Sequence, residues 1–259
     1  MKLYLITILL FTSNIVFTQN QLDSLFNLFQ KPNYREVLQA KKNIINHQKE
    51  AIPKLIEFLT DISFVKLINT GDLTYPGSTY FSTHSNNISY DIDWISIRSA
   101  WILEELTFQD FGYVYIKINE DDLNRYYTQK YKSNAIGSQH ILEFKNKSLQ
   151  EQTLIYRTIL ADKVSIWWEN HNETWTRIDA IKDALLSDNT NRQYLALEYI
   201  RSGETYCENL TISNYDKEIK PILKKLKKSN DKHNGLAKYI LKDKEHHWYK
   251  IKSATINNQ

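Results

Sequence analysis

The chain of 259 residues contains a single cysteine, Cys207, so no internal disulfide can stabilise it. Glycine and proline are also scarce, with six and four residues, and this argues against a β-sandwich, whose turns are rich in both. Neither sign of charge dominates, since 33 basic and 30 acidic residues give a formal net charge of +3. Aromatic residues, in contrast, are abundant (6 Trp, 17 Tyr and 10 Phe), so side-chain packing has to supply the stability of the fold.

The first residues follow the order of a secretory signal peptide. Lys2 precedes an apolar run from Leu3 to Phe11, and small or polar residues then lead to Thr18, where we place the cleavage site. A membrane-spanning helix takes ~20 apolar residues, so this run is short for an anchor, although a retained N-terminal anchor is the alternative. We therefore expect residues 1–18 to be removed. Residues 19–259 are expected to form a single α-helical domain, periplasmic or secreted, with no transmembrane span.

Ser89–Gly112 is the stretch around which the rest of the chain is expected to pack. Its large residues fall on two faces at helical spacing: Ile92, Ile95, Ser99, Ile102, Leu103 and Leu106 on one, and Trp94, Arg98, Trp101, Glu105 and Phe108 on the other. A helix that is apolar on two sides has to be covered on both, so the pattern predicts an interior helix. Asp91 is predicted to cap its start and Gly112 to provide its left-handed end.

Shorter amphipathic segments lie on both sides of this helix. Tyr34–His47 with Ala51–Thr60, and Arg192–Arg201 with Asp216–Lys228, are each predicted to form a helix hairpin. Further helices are predicted at 21–29, 148–168, 175–186 and 233–242. Capping boxes are predicted at Ser148–Glu151 and Thr190–Gln193, whereas Gly112–Lys147 is predicted to be irregular.

The helix pairs, with an early proline in AIPKLIEFL and IKPILKKL, resemble HEAT or armadillo-type α-solenoid repeats. The resemblance covers Tyr34–Asp61 and Arg192–Lys242, and more loosely Ala180–Ser187. The chain departs from the pattern at Ile68–Tyr90, a long insertion rich in turn formers, and it has no fixed repeat period. The resemblance implies an all-α fold, an irregular HEAT-like array of antiparallel helix pairs with a long inserted loop. It also implies a binding or scaffolding surface rather than chemistry.

Thr70–Asp93 is the segment predicted to bind a partner, because it combines turn formers with large aromatic side chains. The predicted partner-binding residues are Tyr75, Tyr80, Phe81, Tyr90, Asp91, Asp93 and Trp94. The alternative is a compact loop whose aromatic side chains pack on one another.

No residue is assigned to catalysis, and no metal or cofactor is expected. Asp91 and Asp93, with Glu104 and Glu105 further along the helix, could act as general acids and bases, but the helix dipole explains both aspartates without a ligand. The sequence contains no H-E-x-x-H, G-x-S-x-G or phosphate-binding glycine loop. Cys207 is more readily explained as a buried, incidental thiol than as a nucleophile.

The Lys-rich segment Lys217–Lys252 is predicted to present a solvated helix face, with a basic patch for an acidic partner or an anionic envelope surface as the alternative. Nucleic-acid binding is not expected of an exported chain that is close to neutral. The predicted function is that of a non-enzymatic binding or scaffold protein that recognises another protein. A specific version is an immunity-type protein that neutralises a toxin delivered into the envelope. The alternative is an envelope hydrolase that uses the acidic residues between Asp91 and Glu105.

Overall fold

The structure, a computed structural model, describes residues 20–68, 81–82, 89–90, 92–112, 120–131, 137–228, 233–243 and 248. These residues are predominantly helical, which confirms the all-α class. The first helix, α1, covers 20–29. The others are α2 (Tyr34–Asn46), α3 (Ile52–Phe58), α4 (Ile95–Thr107), α5 (Glu120–Tyr131), α6 (Gly137–Lys145), α7 (Leu149–His171), α8 (Arg177–Leu186), α9 (Thr190–Ser202), α10 (Ile212–Asn214), α11 (Lys220–Leu226) and α12 (Asn234–Ile240).

Short irregular elements connect several of these helices. A 3₁₀ turn, Gln48–Ala51, links α2 to α3, and a π-helical segment, Tyr215–Ile219, joins α10 to α11 in one continuous helical run. Strands β1 (Phe81–Ser82) and β2 (Ser89–Tyr90) pair antiparallel, with Phe81 opposite Tyr90. None of the helices in the described ranges has both the length and the apolar composition that a bilayer crossing needs.

The prediction that α4 is an interior helix is confirmed. Eleven of its 13 residues are buried, and it packs against α2, α3 and α8. Its ends differ from the prediction. The helix begins at Ile95, with Trp94 at the N-cap position and no side-chain cap, while Asp91 lies outside the described residues.

The left-handed residue at the end of α4 is Phe108, with φ of 54°, and not Gly112, whose φ is 89° four residues later. A left-handed conformation costs a non-glycine residue ~1–2 kcal/mol. Phe108 is 1% exposed and its ring packs edge-on against Tyr199 at 5.4 Å, so burial of this large side chain offsets the cost.

The capping predictions had mixed outcomes. Ser148 and Glu151 form the predicted capping box at the start of α7. The box predicted at Thr190–Gln193 is wrong, because Asn189 caps α9 by accepting from the amides of Asn191 and Arg192.

The irregular assignment of Gly112–Lys147 is also wrong, since α5 and α6 lie there and pack against each other.

Two apolar cores organise the described helices. The N-terminal core is built mainly from α1 to α7, and the C-terminal core from α8 to α12 together with Phe108 at the end of α4. Trp175, just before α8, packs against both cores. The helix pair α8–α9 is in close contact, as is α11–α12, but the HEAT-like stacking of such pairs stays a prediction.

Candidate functional site

The structure places only part of the predicted partner-binding set. Three of its members lie outside the described residues: Tyr75, Tyr80 and Asp91. Phe81 and Tyr90 are Cα partners in the β1–β2 pair, and their backbone alone is described. Asp93 and Trp94, which immediately precede α4, are placed in full, and the candidate site lies around them.

Asp93 has no exposed surface. Its Oδ1 accepts a hydrogen bond from the amide of Leu67 at 2.9 Å, and its Oδ2 lies 2.6 Å from Nζ of Lys66. Its backbone carbonyl accepts from the amide of Val65 at 2.8 Å. Asp93 therefore holds residues 65–67 against the start of α4, through its carboxylate and its backbone carbonyl. Its buried carboxylate cannot itself contact a partner, which corrects its assignment as a binding residue.

Arg98, one turn into α4, fixes the same region from inside the protein. It is fully buried, and its Nε donates to the carbonyl of Ile92 at 2.6 Å. One terminal nitrogen donates to the carbonyls of Phe29 and Lys31, both at 3.0 Å, and the other to that of Val65 at 2.5 Å. A single guanidinium thus joins the end of α1, the 61–68 segment and the approach to α4, since its fixed fork of donors can serve several carbonyls at once.

Residues 61–68 form an extended segment along the start of α4. The carbonyl of Ser63 accepts from the amide of Ile95 at 3.0 Å, and the carbonyl of Ile68 accepts from that of Tyr34 at 3.1 Å. Successive side chains of an extended chain point to opposite sides. Leu67 is buried, while three large apolar side chains are exposed by 56%, 51% and 53% and form what we call the apolar strip: Ile62, Phe64 and Ile68. Lys66, between the last two, is also exposed.

Trp94 is half-buried and lies beside this strip. The Phe64 ring packs edge-on against the indole at a centroid distance of 5.1 Å, and the Arg157 guanidinium lies 4.4 Å from the same ring. Trp94 is therefore the one fully placed residue of the predicted set that adjoins an exposed surface. The strip itself was missed from the sequence, because Lys66 interrupts the alternation of apolar residues at 62, 64 and 68 and apolar residues also occupy positions 65 and 67.

Two of the acidic residues proposed for the alternative hydrolase, Asp93 and Glu105, lie at opposite ends of α4, while Asp91 lies outside the described residues. Glu105 is ion-paired with Lys41 near the end of α4, while Asp93 precedes its start. The ten residue steps from Ile95 to Glu105 alone correspond to about 15 Å of helical rise, too far for two carboxylates to act on one bond. Within the described ranges, no group of three His, Cys, Asp or Glu side chains is placed to hold a metal ion.

Cys207 is buried at 5% exposure, and burial raises the pKa of its thiol to about 12, with the nearby Arg177 opposing the shift. The thiolate is the nucleophilic form of cysteine, so a thiol that stays protonated at neutral pH is inert. The burial of Cys207 therefore favours its interpretation as a buried structural thiol over a catalytic nucleophile.

Comparison of the chain with protein-family models, with curated proteins and with solved structures finds no match. The functional assignment accordingly rests on the geometry of the chain itself.

Proposed function

We propose that this chain is an exported, non-enzymatic binding protein that recognises another protein through the apolar strip and Trp94. The observation that carries the proposal is the strip itself: three large apolar side chains, each more than half exposed, within the seven residues 62–68. Burial of apolar surface is the main favourable term in most protein association, at about 25 cal/mol per Å². Burial of three such side chains against a partner would therefore be favourable, whereas single exposed apolar residues scattered over a surface need no explanation.

The hydrogen bonds that attach the strip to the rest of the protein support the proposal that it binds a partner. Asp93 and Arg98 attach residues 65–67 to the protein interior, and the amide of Ile95 attaches Ser63. A segment that is already ordered loses little conformational entropy when a partner binds, so more of the contact energy appears as affinity. The segment predicted from its composition to bind a partner, Thr70–Asp93, follows the strip directly in the sequence.

Export, with removal of residues 1–18, is part of the proposal and is supported by the signal-like order of the first residues. The partner would then be a protein of the periplasm or the cell exterior. An immunity-type role, in which the partner is a toxin delivered into the envelope, is the specific form of this function. The HEAT-like arrangement of helix pairs, if extended through the chain, would suit a scaffold of this kind.

Site-specific photo-crosslinking in the native cell envelope tests the proposal. We expect p-benzoyl-L-phenylalanine at position 64 or 68 to cross-link the same protein on irradiation. Tyr239, which is 59% exposed on α12, provides the matched control position. Cross-linking of that protein equally from position 239, or of no common protein from positions 64 and 68, would show that the strip is not the recognition surface.

A further inference from the structure

The backbone of residues 61–68 bonds to the start of α4 through its odd-numbered positions. The carbonyls of residues 61 and 63 accept from the amides of Ser96 and Ile95, at 3.2 and 3.0 Å. The amides of residues 65 and 67 donate to Asp93, at 2.8 and 2.9 Å. In an extended chain the hydrogen-bonding groups of successive residues point to opposite sides. The even-numbered positions therefore direct their amides and carbonyls away from α4.

The side of the segment that faces away from α4 already pairs with another extended chain at Ile68. The amide of Ile68 donates to the carbonyl of Pro32 at 2.8 Å, and its carbonyl accepts from the amide of Tyr34 at 3.1 Å. These two bonds form a parallel bridge between Ile68 and Asn33. This edge of the segment thus has the geometry that strand pairing needs, and residues 32–34 occupy one end of it.

The same edge is open at Ile62 and Phe64. In the part of the chain that the structure describes, the amides and carbonyls of these two residues have no hydrogen-bond partner. Both residues are more than half exposed. Alternate residues of an extended chain lie about 7 Å apart, so the two positions match alternate residues of a neighbouring strand. The backbone of Ile62 and Phe64, which we call the open edge, offers two donors and two acceptors to such a strand.

We propose that the partner of the apolar strip presents an extended segment, which adds to the open edge as a β-strand. The inference rests on the proposed function and specifies the chemistry of the partner: a peptide segment with apolar side chains at alternate positions. Its backbone bonds to that of Ile62 and Phe64, and its apolar side chains lie against theirs. In this mode of recognition the main-chain bonds provide affinity and the alternate side chains provide specificity.

Two features of the open edge favour a strand over an amphipathic helix as the partner. A helix pairs its own backbone groups, so it would exclude water from the amides and carbonyls of Ile62 and Phe64 without bonding to them, which is unfavourable. A docking helix also needs a groove, whereas Ile62 and Phe64 lie two residues apart on an extended chain. Since Asp93 and Arg98 already hold residues 65–67, pairing orders little of this chain.

The length of the open edge limits the incoming strand. Residues 32–34 occupy the edge at Ile68, and α3 ends at Phe58, just before the segment begins. The incoming strand is therefore short, at roughly three to five residues. A short peptide is accordingly a sufficient probe of the open edge.

A random dodecapeptide library displayed on phage, selected on the purified protein, tests the proposal. Peptides that also bind the Phe64→Ser/Ile68→Ser protein are removed by counter-selection. We expect the remaining peptides to have apolar residues at alternate positions and, by calorimetry, to bind the double variant roughly tenfold more weakly or less. Peptides with apolar residues at helical spacing, or no peptide that depends on the strip, would overturn the proposal.

Replacement of one backbone amide by an ester separates strand pairing from side-chain contact. β-Phenyllactic acid at position 64 keeps the phenyl side chain and removes the outward N–H, so it should weaken binding of the selected peptide by roughly tenfold. The matched control is α-hydroxyisocaproic acid at position 149. Leu149 is 52% exposed and is the first residue of α7, where the amide has no intrahelical partner. The control protein should bind like the unmodified one.

Amide hydrogen exchange of the unmodified protein gives the same answer without any change to the chain. Binding of the selected peptide should slow exchange at the Phe64 amide by at least roughly tenfold and leave the Leu149 amide unchanged. Unaltered exchange at Phe64, or full affinity of the ester at position 64, would overturn strand addition even if Phe64→Ser/Ile68→Ser abolishes binding. The proposed function fails separately, if positions 64 and 68 cross-link no common envelope protein.

Discussion

Arg98 lies wholly inside the protein, where its guanidinium donates to backbone carbonyls of Phe29, Lys31, Val65 and Ile92. A buried carbonyl without a donor costs ~1–3 kcal/mol, so this side chain satisfies groups that no helix or sheet provides for. Asp93 likewise satisfies a backbone group, because its carboxylate accepts the hydrogen bond of the Leu67 amide. The exposed strip is therefore positioned by two buried polar residues rather than by its own side chains.

Replacement of Arg98 by methionine should lower the free energy of unfolding by roughly 3–5 kcal/mol, because it leaves several buried carbonyls without donors. Arg201→Met is the matched control, since Arg201 forms only a surface pair with Glu198 and its loss should cost ~0–1 kcal/mol. Urea denaturation of both variants measures the difference. Equal losses in the free energy of unfolding for the two substitutions would show that the hydrogen bonds of Arg98 do not contribute to stability.

The thiol of Cys207 should react with Ellman's reagent very slowly at pH 8 in the folded protein. A pKa raised from 9.0 to about 12 lowers the population of thiolate on the order of a thousandfold, and burial restricts access as well. In denaturant the thiol should titrate at once. Rapid reaction of the native protein would instead identify an accessible, activated cysteine and reopen the catalytic reading.

α9 begins through Asn189, whose side chain caps the helix and also donates from Nδ2 to Asp110 at 3.1 Å. Asn191 donates to the same carboxylate oxygen at 3.0 Å, and Arg192 Nε donates to the carbonyl of Phe108 at 3.1 Å. The start of α9 is thus tied to the chain that leaves α4. This connection fixes the position of α9 beside the end of α4.

Asn189→Ala should lower the free energy of unfolding by about 1–2 kcal/mol, through loss of the cap and of the bond to Asp110. Thr190→Ala should change it by less than ~0.5 kcal/mol, since the Thr190 side chain is exposed and the structure assigns the cap to its neighbour. Thermal or urea unfolding of the two variants provides the comparison. A larger loss for Thr190→Ala would support the capping box inferred from the sequence instead.

Helices with a strong apolar pattern could be predicted from the sequence, and others could not. α4 was recognised because it is apolar on two sides, and α7 because Ser148 and Glu151 have the capping-box spacing. α5 was missed because its polar residues are numerous, although Leu123, Tyr126 and Tyr127 are buried at helical spacing. The cap of α9 was misplaced by one residue because Asn and Thr are adjacent there and both types cap helices well.

At the level of the whole molecule, the features that matter for function depend on residues far apart in the chain. Arg98 donates to the carbonyl of Val65, 33 positions away, and to that of Phe29, 69 positions away. Local pattern carries no information about such contacts, because they are set by how the helices pack. The composition of Thr70–Asp93 predicts a binding segment before α4, and this stays a prediction.

The two cores also suggest how the molecule holds together. Trp175 packs against both cores, α4 of the N-terminal core packs against α8, and Asn46 and Gln48 make polar contacts across the boundary. The apolar strip adjoins Leu67 and Trp94, which pack in the N-terminal core, so the recognition proposed there involves that side of the molecule.

Affinity capture from the native cell envelope tests the recognition function most directly. The unmodified protein and the double variant Leu142→Ser/Leu186→Ser, which removes two exposed apolar residues from α6 and α8, should recover the same partner. The double variant Phe64→Ser/Ile68→Ser should fold, losing only about 0.5–1.5 kcal/mol with the Phe64–Trp94 contact, and should recover roughly tenfold less of that partner. Undiminished recovery by a folded Phe64→Ser/Ile68→Ser protein would contradict the assignment of the strip as the recognition surface.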